Sequence, residues 1–278
     1  MDRRGELKAF LRSRRARLRP GEVGLPEHGT GRRVPGLRRE ELAQLAGLSL
    51  DYYVRLEQGR NGKISPGALD ALARALRMSP VEREHLHRLA KPARNQVVPR
   101  CLDSPVPRLQ QLLDSMPAVP AYVVGRRTEL LAWNRPAQLV FGGVFVLETA
   151  HRSIARQIFL NPMARQRFEN WEDKAVAVTS RLRLGFGRFP GDRLLTDLID
   201  ELTAVNSEFR RIWAEQHLND KTHGAYRIAL PRIGSFTLPY RALRLPEEPD
   251  QLLITYLVEP GSTLAGALGS RTTIQAVP

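Results

Sequence analysis

The segment from residue 38 to residue 59 constrains the fold more than any other part of the chain, because its pattern fits two short helices joined by a tight turn. It reads RREELAQLAGLSLDYYVRLEQG. Ala43 is small enough for two helices to cross closely, and Gly47 stands where a left-handed backbone conformation would end the first helix. We expect Leu48 to fill the core inside the turn and Ser49 to cap the second helix.

The second helix of this pair has one apolar face and one outward face. Tyr53 and Leu56 lie three residues apart and are expected on the buried face. A helix of this kind can read base edges in the major groove of DNA from its N-terminal half. The residues predicted to meet DNA here, including the cap, are Ser49, Leu50, Asp51, Tyr52 and Arg55.

Three of these residues have specific roles in the prediction. Arg55 is the strongest base reader, because a bidentate Arg–guanine pair contributes about 1–3 kcal/mol of discrimination. Leu50 would touch a thymine methyl group. Asp51 would either accept a hydrogen bond from a cytosine amine or support the N-terminus of its own helix.

The positive charge of the chain is concentrated in the same region. The 278 residues carry a formal net charge of +14. Residues 1–95 hold 21 Lys and Arg against 11 Asp and Glu, whereas residues 96–278 hold 22 against 18. This distribution favours a partner rich in phosphates, although a solvated basic face or a disordered basic arm would also produce it.

Composition favours a cytoplasmic, nucleoid-associated protein that does not contact membranes. No apolar run approaches the length of a membrane span, and the N-terminus lacks the apolar stretch of a signal peptide. The single cysteine, Cys101, excludes an internal disulfide framework. His85 and His87 are two residues apart on a helix and cannot chelate one metal ion together, so we predict no metal site.

Catalytic motifs are also missing from the pattern. The chain has no Gly-x-Ser-x-Gly elbow, and its segment 59–63 lacks the spacing of a phosphate-binding loop. We therefore predict that the protein is not an enzyme and requires no cofactor.

Periodicity divides the chain into a helical first part and a mixed second part. Residues 91–107 hold four prolines and are expected to be a linker. Helices are predicted at 6–18, 39–46, 49–58, 66–77 and 80–90, then at 135–141, 153–168, 171–184, 192–205 and 207–217. Strands are predicted at 121–124, 129–133, 225–230, 235–240 and 252–258. Strands at both ends of the second part argue for an α+β domain whose sheet pairs its two ends.

Residues 6–89 resemble the phage-repressor (Cro/CI, XRE-type) helix-turn-helix family, on the Ala-x3-Gly-x-Ser spacing and the closing Leu56-Glu57-Gln58-Gly59. This resemblance implies that Arg39 meets a backbone phosphate at the start of the first motif helix. It implies the same of three residues after the recognition helix, which an ordinary basic turn would equally explain: Arg60, Asn61 and Lys63.

A narrower resemblance, to the MmyB-like regulators, covers nearly the whole chain. It is carried by RVPGLRREE at 33–41, DYYVRLEQGR at 51–60, LAWN at 131–134 and VEPGS at 258–262. The resemblance implies a PAS-like sensor domain, annotated in that family as ligand-binding, and a homodimer. The predicted architecture is an all-α helix-turn-helix domain (1–90), the linker (91–107), an α+β PAS-like domain (108–265) and a tail (266–278).

Large aromatic residues give the second domain either a filled core or the lining of a pocket for a small apolar, fatty-acid-like ligand. The candidate ligand-binding residues are Trp133, Asn134, Phe141, Phe159, Phe209, Arg210, Trp213, Tyr240 and Tyr256. Because Arg210 and Arg211 are adjacent on a helix, at most one is expected to point inward.

The leading functional hypothesis is a sequence-specific transcriptional regulator that binds an inverted-repeat operator in double-stranded DNA and responds to such a ligand. The alternative is a regulator whose second domain dimerises or binds a protein partner without a small molecule. An enzyme with a DNA-binding appendage is the third hypothesis, and no residue constellation supports it.

Overall fold

The computed structural model describes residues 2–26, 34, 36–59, 64–90, 109–142, 144, 152–231, 233–246, 248 and 250–269. The chain forms two compact units. The first combines Met1–Val98 with Arg183–Asp200 and Trp213–Leu218, and the second combines Pro99–Leu182 with Glu201–Ile212 and Asn219–Pro278. The proposed linker 91–107 and the tail beyond Gly269 lie outside the described residues.

The N-terminal part of the first unit is helical, as predicted. Its helices are α1 (Arg3–Arg17), α2 (Arg39–Leu45), α3 (Leu50–Glu57), α4 (Pro66–Ala75) and α5 (Pro80–Ala90), with a short 3-10 turn at Pro20–Val23. They enclose a core whose fully buried members include Phe10, Leu11, Leu42, Tyr53, Leu56, Leu72 and Leu86.

Side-chain caps and one glycine fix where these helices begin and end. Ser49 Oγ accepts a hydrogen bond from the Tyr52 amide at 3.2 Å, and Ser65 Oγ accepts one from the Ala68 amide at 3.2 Å. Gly47 has a φ of 64°, in the left-handed region that favours glycine. The turn before the recognition helix is therefore built as its sequence predicts.

The second unit mixes helices with strands, again as predicted. In order the elements are α6 (Leu109–Asp114), β1 (Ala121–Val124), β2 (Leu130–Trp133), α7 (Arg135–Phe141), α8 (Ile154–Leu160), α9 (Met163–Arg167), α10 (Trp171–Arg188), α11 (Arg193–Val205), α12 (Ser207–Ala214), β3 (His223–Leu230), β4 (Gly234–Arg244), β5 (Leu252–Tyr256) and α13 (Thr263–Gly269). The ends of α10 and α11 and the residues after Ile212 belong to the first unit.

One predicted helix is two. The helix expected at 153–168 breaks after Leu160, where Asn161 adopts an extended conformation with φ −91° and ψ 116°. Pro162 disfavours a helical conformation in the residue before it, which accounts for the break.

The strands form a single antiparallel sheet in the order β2-β1-β5-β4-β3. The sheet pairs the two ends of the second part, as predicted, because β1 lies beside β5 with Tyr122 opposite Ile254. Residues on one face of these two strands pack with Leu109 and Leu113 of α6. The alternate positions, including Tyr122, point to the other face.

Within the described residues, no helix has both the length and the apolar character needed to cross a membrane.

Candidate DNA interface and candidate ligand site

The recognition helix α3 has the two faces that its sequence predicts. Tyr53 and Leu56 are fully buried in the core, whereas Leu50 has 47% of its surface exposed. Asp51 and Arg55 are exposed and form an ion pair at 2.7 Å across one helical turn. Tyr52 is half-buried and packs against the core. The surface available to a partner is thus formed mainly by Leu50, Asp51 and Arg55.

A buried carboxylate holds α3 to its neighbours. Glu57 accepts a hydrogen bond from Arg15 Nε of α1 at 3.2 Å, one from the Tyr53 hydroxyl at 3.1 Å, and one from Arg39 at the start of α2. Burial alone would raise the pKa of Glu57, but hydrogen bonds and charge from Arg39 and Arg15 outweigh burial and lower that pKa. The carboxylate therefore stays ionised and ties three helices of the head together.

Arg39 serves this contact with part of its guanidinium while 47% of its side chain stays exposed. The exposed part lies on the helix that precedes the recognition helix, where a phosphate contact was predicted. Arg60, Asn61 and Lys63 lie outside the described residues.

The histidines of α5 have structural surroundings. His85 is fully buried with its ring edge-on to Phe10, and burial lowers its pKa to about 3. His87 Nε2 lies 2.7 Å from the Asp70 carboxylate. Among the described residues, no group of three His, Cys, Asp or Glu side chains could hold a metal ion.

In the second unit, the aromatic candidates fall into two groups. The first, which we call the tyrosine cluster, lies on the sheet face opposite α6. Its tyrosines are all those of the chain beyond the head, and two phenylalanines complete it; its members are Tyr122, Tyr226, Tyr240, Tyr256, Phe141 and Phe168. Three of the predicted ligand residues, Phe141, Tyr240 and Tyr256, therefore meet in one place.

Strand register brings the tyrosines together. Tyr240 of β4 lies directly opposite Tyr256 of β5, and Tyr122 of β1 reaches the Tyr256 hydroxyl at 3.2 Å. The rings of Tyr226 and Tyr240 stack with their centroids 4.9 Å apart. Alternate residues of a strand share one face, so the pairing of three strands builds the cluster.

The second group joins helices. The ring of Phe159 meets that of Phe209 edge-on at 5.0 Å and that of Trp171 at 5.7 Å. The Trp171 indole donates a hydrogen bond to the Ile158 carbonyl at 2.9 Å. This group occupies the contact between α8, α10 and α12.

The remaining predicted ligand residues lie elsewhere. Asn134 caps α7, and its amide donates to backbone carbonyls of the loop before β1, so backbone groups take up its hydrogen-bonding capacity. Trp133 is half-buried with Arg152 over its ring at 5.5 Å. Arg210 is exposed and donates to two carbonyls at the end of α11. Trp213 belongs to the first unit, where it stacks beneath Arg183 at 4.0 Å.

Two family models match this chain. One, described as the MmyB-like transcription regulator ligand binding domain, matches residues 106–270, and one described as a helix-turn-helix domain matches residues 6–86. The chain belongs to the MmyB-like transcription regulators. It is a DNA-binding transcription regulator with a helix-turn-helix domain and a ligand-binding domain, and both matched families are regulatory. No curated protein matches it.

Sequence reasoning overlooked one residue of this MmyB-like regulator. Lys174 of α10 is buried against the tyrosine cluster, with its ammonium 3.3 Å from the Tyr122 hydroxyl. The signal was its spacing: Lys174 precedes the buried Val178 and Leu182 by four and eight residues, which places it on their face of the helix. A lysine on an apolar helix face would have marked the position.

Proposed function

We propose that this MmyB-like regulator binds an inverted-repeat operator in double-stranded DNA through α3, and that a small apolar ligand in its second domain modulates this binding. The observation that carries the first half is the capped helix α3, which exposes Leu50, Asp51 and Arg55 and buries Tyr53 and Leu56. A rigid helix with an exposed arginine in its N-terminal half suits direct readout in the major groove.

The proposed roles follow from chemistry. Arg55 reads a guanine by a bidentate pair once it leaves Asp51, and Leu50 contacts a thymine methyl group. Arg39 contacts phosphate, as do Arg60, Asn61 and Lys63 after the helix. Because the pair between Asp51 and Arg55 is exposed, breaking it costs about 0–1 kcal/mol, less than a good base contact returns.

A homodimer would present two such heads to the half-sites of the operator. Each head alone makes few base contacts, so the second raises affinity through effective concentration. A protein of this function acts where the DNA is, in the cytoplasm and associated with the nucleoid.

The ligand half of the proposal rests on the family and on the tyrosine cluster. A cluster of six large rings on one sheet face supplies apolar surface that an acyl chain would contact, with hydroxyl groups to orient it. A ligand that binds one arrangement of the domain better than another would shift the population of DNA-binding states by that difference in affinity.

The same rings favour a second candidate. They pack closely, with Phe141 and Tyr256 centroids 4.9 Å apart and both rings fully buried. A filled core of this kind is suited to a domain that dimerises or binds a protein partner without a small molecule.

Capture of genomic fragments by the full-length protein, with and without a lipid extract, tests both halves. Enrichment of an inverted repeat that responds to the extract would support the proposal, and enrichment indifferent to the extract would favour the second candidate. Arg55→Ala should lose the enriched sites. Arg83→Ala, which removes an exposed arginine on α5 that is paired with Asp70, is the matched charge control. Failure to enrich any site would refute the DNA half.

A further inference from the structure

Lys174 has unusual surroundings for a lysine. Just 6% of its surface is exposed. Within the described residues its ammonium makes one hydrogen bond, with the Tyr122 hydroxyl, and no ion pair. Its other close neighbours are ring faces, with centroids at 4.7 Å in Tyr226, 5.5 Å in Phe168 and 6.0 Å in Tyr122.

These neighbours compensate the buried charge in part. Taking an ammonium out of water costs several kcal/mol, and a cation over an aromatic face recovers about 0.5–2 kcal/mol. An ammonium also carries three N–H donors, of which one finds the Tyr122 oxygen. The adjacent carboxylate of Asp173 accepts a hydrogen bond from Asn170 at 2.9 Å and makes no ion pair with Lys174. An acceptor with negative charge would complete the site.

The tyrosines around Lys174 can donate to such an anion. Burial raises the pKa of Tyr226 and of Tyr256 well above the ordinary value for a phenol, and burial also raises the pKa of Tyr240. Each of these hydroxyl groups therefore keeps its proton at neutral pH. Phenol donors around one cation are the groups that stabilise an oxyanion in a site from which water is excluded.

We propose that Lys174 binds the carboxylate of an acidic apolar ligand, with the tyrosine hydroxyls as further donors and the rings of the tyrosine cluster against its tail. This inference rests on the proposed ligand-responsive function and specifies its ligand class. A carboxylate fits better than a phosphate monoester, because the cluster provides one cation and a phosphate monoester carries close to two negative charges at neutral pH.

The test compares ligands that share a tail and differ in the head. Dodecanoate, dodecanol and dodecyl phosphate are titrated into the full-length protein by calorimetry, and the shift in melting temperature is recorded in parallel. We expect dodecanoate to bind at least tenfold more tightly than either of the others. Lys174→Met, which keeps the length of the side chain, should remove that preference while leaving the affinity for dodecanol unchanged. Lys221→Met is the matched control, since Lys221 is exposed at the approach to β3.

Tyr226→Phe provides a second variant that keeps the ring and removes one hydroxyl group. We expect it to weaken dodecanoate binding severalfold and to leave dodecanol binding unchanged. Retained preference for dodecanoate in Lys174→Met would overturn the assignment of Lys174. Equal binding of dodecanoate and dodecanol by the wild type would keep the proposed ligand response and overturn the carboxylate. Binding of none of the three would refute both, whereas tighter binding of dodecyl phosphate would replace the carboxylate with a phosphate.

Discussion

Arg55 is the residue on which sequence readout should depend most. It is exposed at the outer face of α3, and its one ion pair, with Asp51, is a surface pair of low energy. Arg55→Ala should weaken binding to the operator by about 1–3 kcal/mol and relax one base position. Competition binding with every single-base variant of the captured site measures both effects. Equal loss on operator and random DNA would mean that Arg55 contacts phosphate instead.

Asp51 supplies the converse prediction at the neighbouring position. Its carboxylate holds Arg55 and repels phosphate, so Asp51→Asn should tighten binding to random DNA. If Asp51 also accepts a hydrogen bond from cytosine, the same change should weaken operator binding and lower the specificity ratio. Titration of operator and random duplexes at one salt concentration separates these outcomes.

Glu57 should make the stability of the head depend on acid. Its pKa is lowered in the folded state, so its contribution is fully present above the unfolded pKa, near 4.3, and is lost as pH falls through the lower folded value. Glu57→Gln leaves two arginines without their carboxylate and should cost about 3–5 kcal/mol of unfolding free energy at pH 7, with a smaller cost below pH 4. Glu84→Gln, at an exposed pair with Arg88, is the control and should change little. A cost of Glu57→Gln that does not vary with pH would contradict the role assigned to this carboxylate.

Element by element, local patterns predicted the fold well and long-range pairings predicted it less. Helix α3 and strand β1 follow from caps and periodicity within a few residues. The tyrosine cluster does not follow in this way, because Tyr122 and Tyr256 lie far apart in sequence and meet through the β1–β5 pairing. A pattern can place each tyrosine on a strand, but it cannot say which strand neighbours which, and hence what surrounds Lys174.

The packing of the segment before α2 against α1 is an element-scale feature that glycine permits. A methyl group at Gly36 would lie 2.4 Å from the Arg15 carbonyl oxygen and 2.5 Å from Ala16 Cα, both of them backbone atoms. The neighbouring Leu37 amide donates to that same carbonyl at 3.1 Å, so the segment has no room to move away. Gly36→Ala should therefore destabilise the head by about 1–3 kcal/mol. Gly67→Ala in α4, where nothing lies within 4 Å, should be neutral or stabilising in the same thermal melts. Equal melting temperatures for the two variants would show that the segment can shift.

At the scale of the whole molecule, the compact unit that contains the head is assembled from distant parts of the chain. Arg183, at the end of α10, belongs to that unit and is fully buried; it donates to the Glu6 carboxylate of α1 and to the Trp213 carbonyl. Arg14 of α1 likewise donates to the Gln216 carbonyl at 2.8 Å. A stretch of the ligand-binding family match is thus part of the fold of the head unit, so the stability of that unit should respond to substitutions far from residues 6–86.

Arg183→Met tests this assembly in the intact chain. It leaves the Glu6 carboxylate buried without its cation and should cost about 3–5 kcal/mol of unfolding free energy. Arg210→Met, at an exposed arginine that caps α11, should cost far less. In the double variant with Glu6→Gln the two losses should add to less than their sum by about 0.5–3 kcal/mol, because the single variants disrupt the same ion pair. Denaturant unfolding followed by the far-ultraviolet circular dichroism of the full-length protein measures all four quantities. Strictly additive losses would mean that Arg183 acts through Trp213 alone and that the pair with Glu6 contributes nothing to the head.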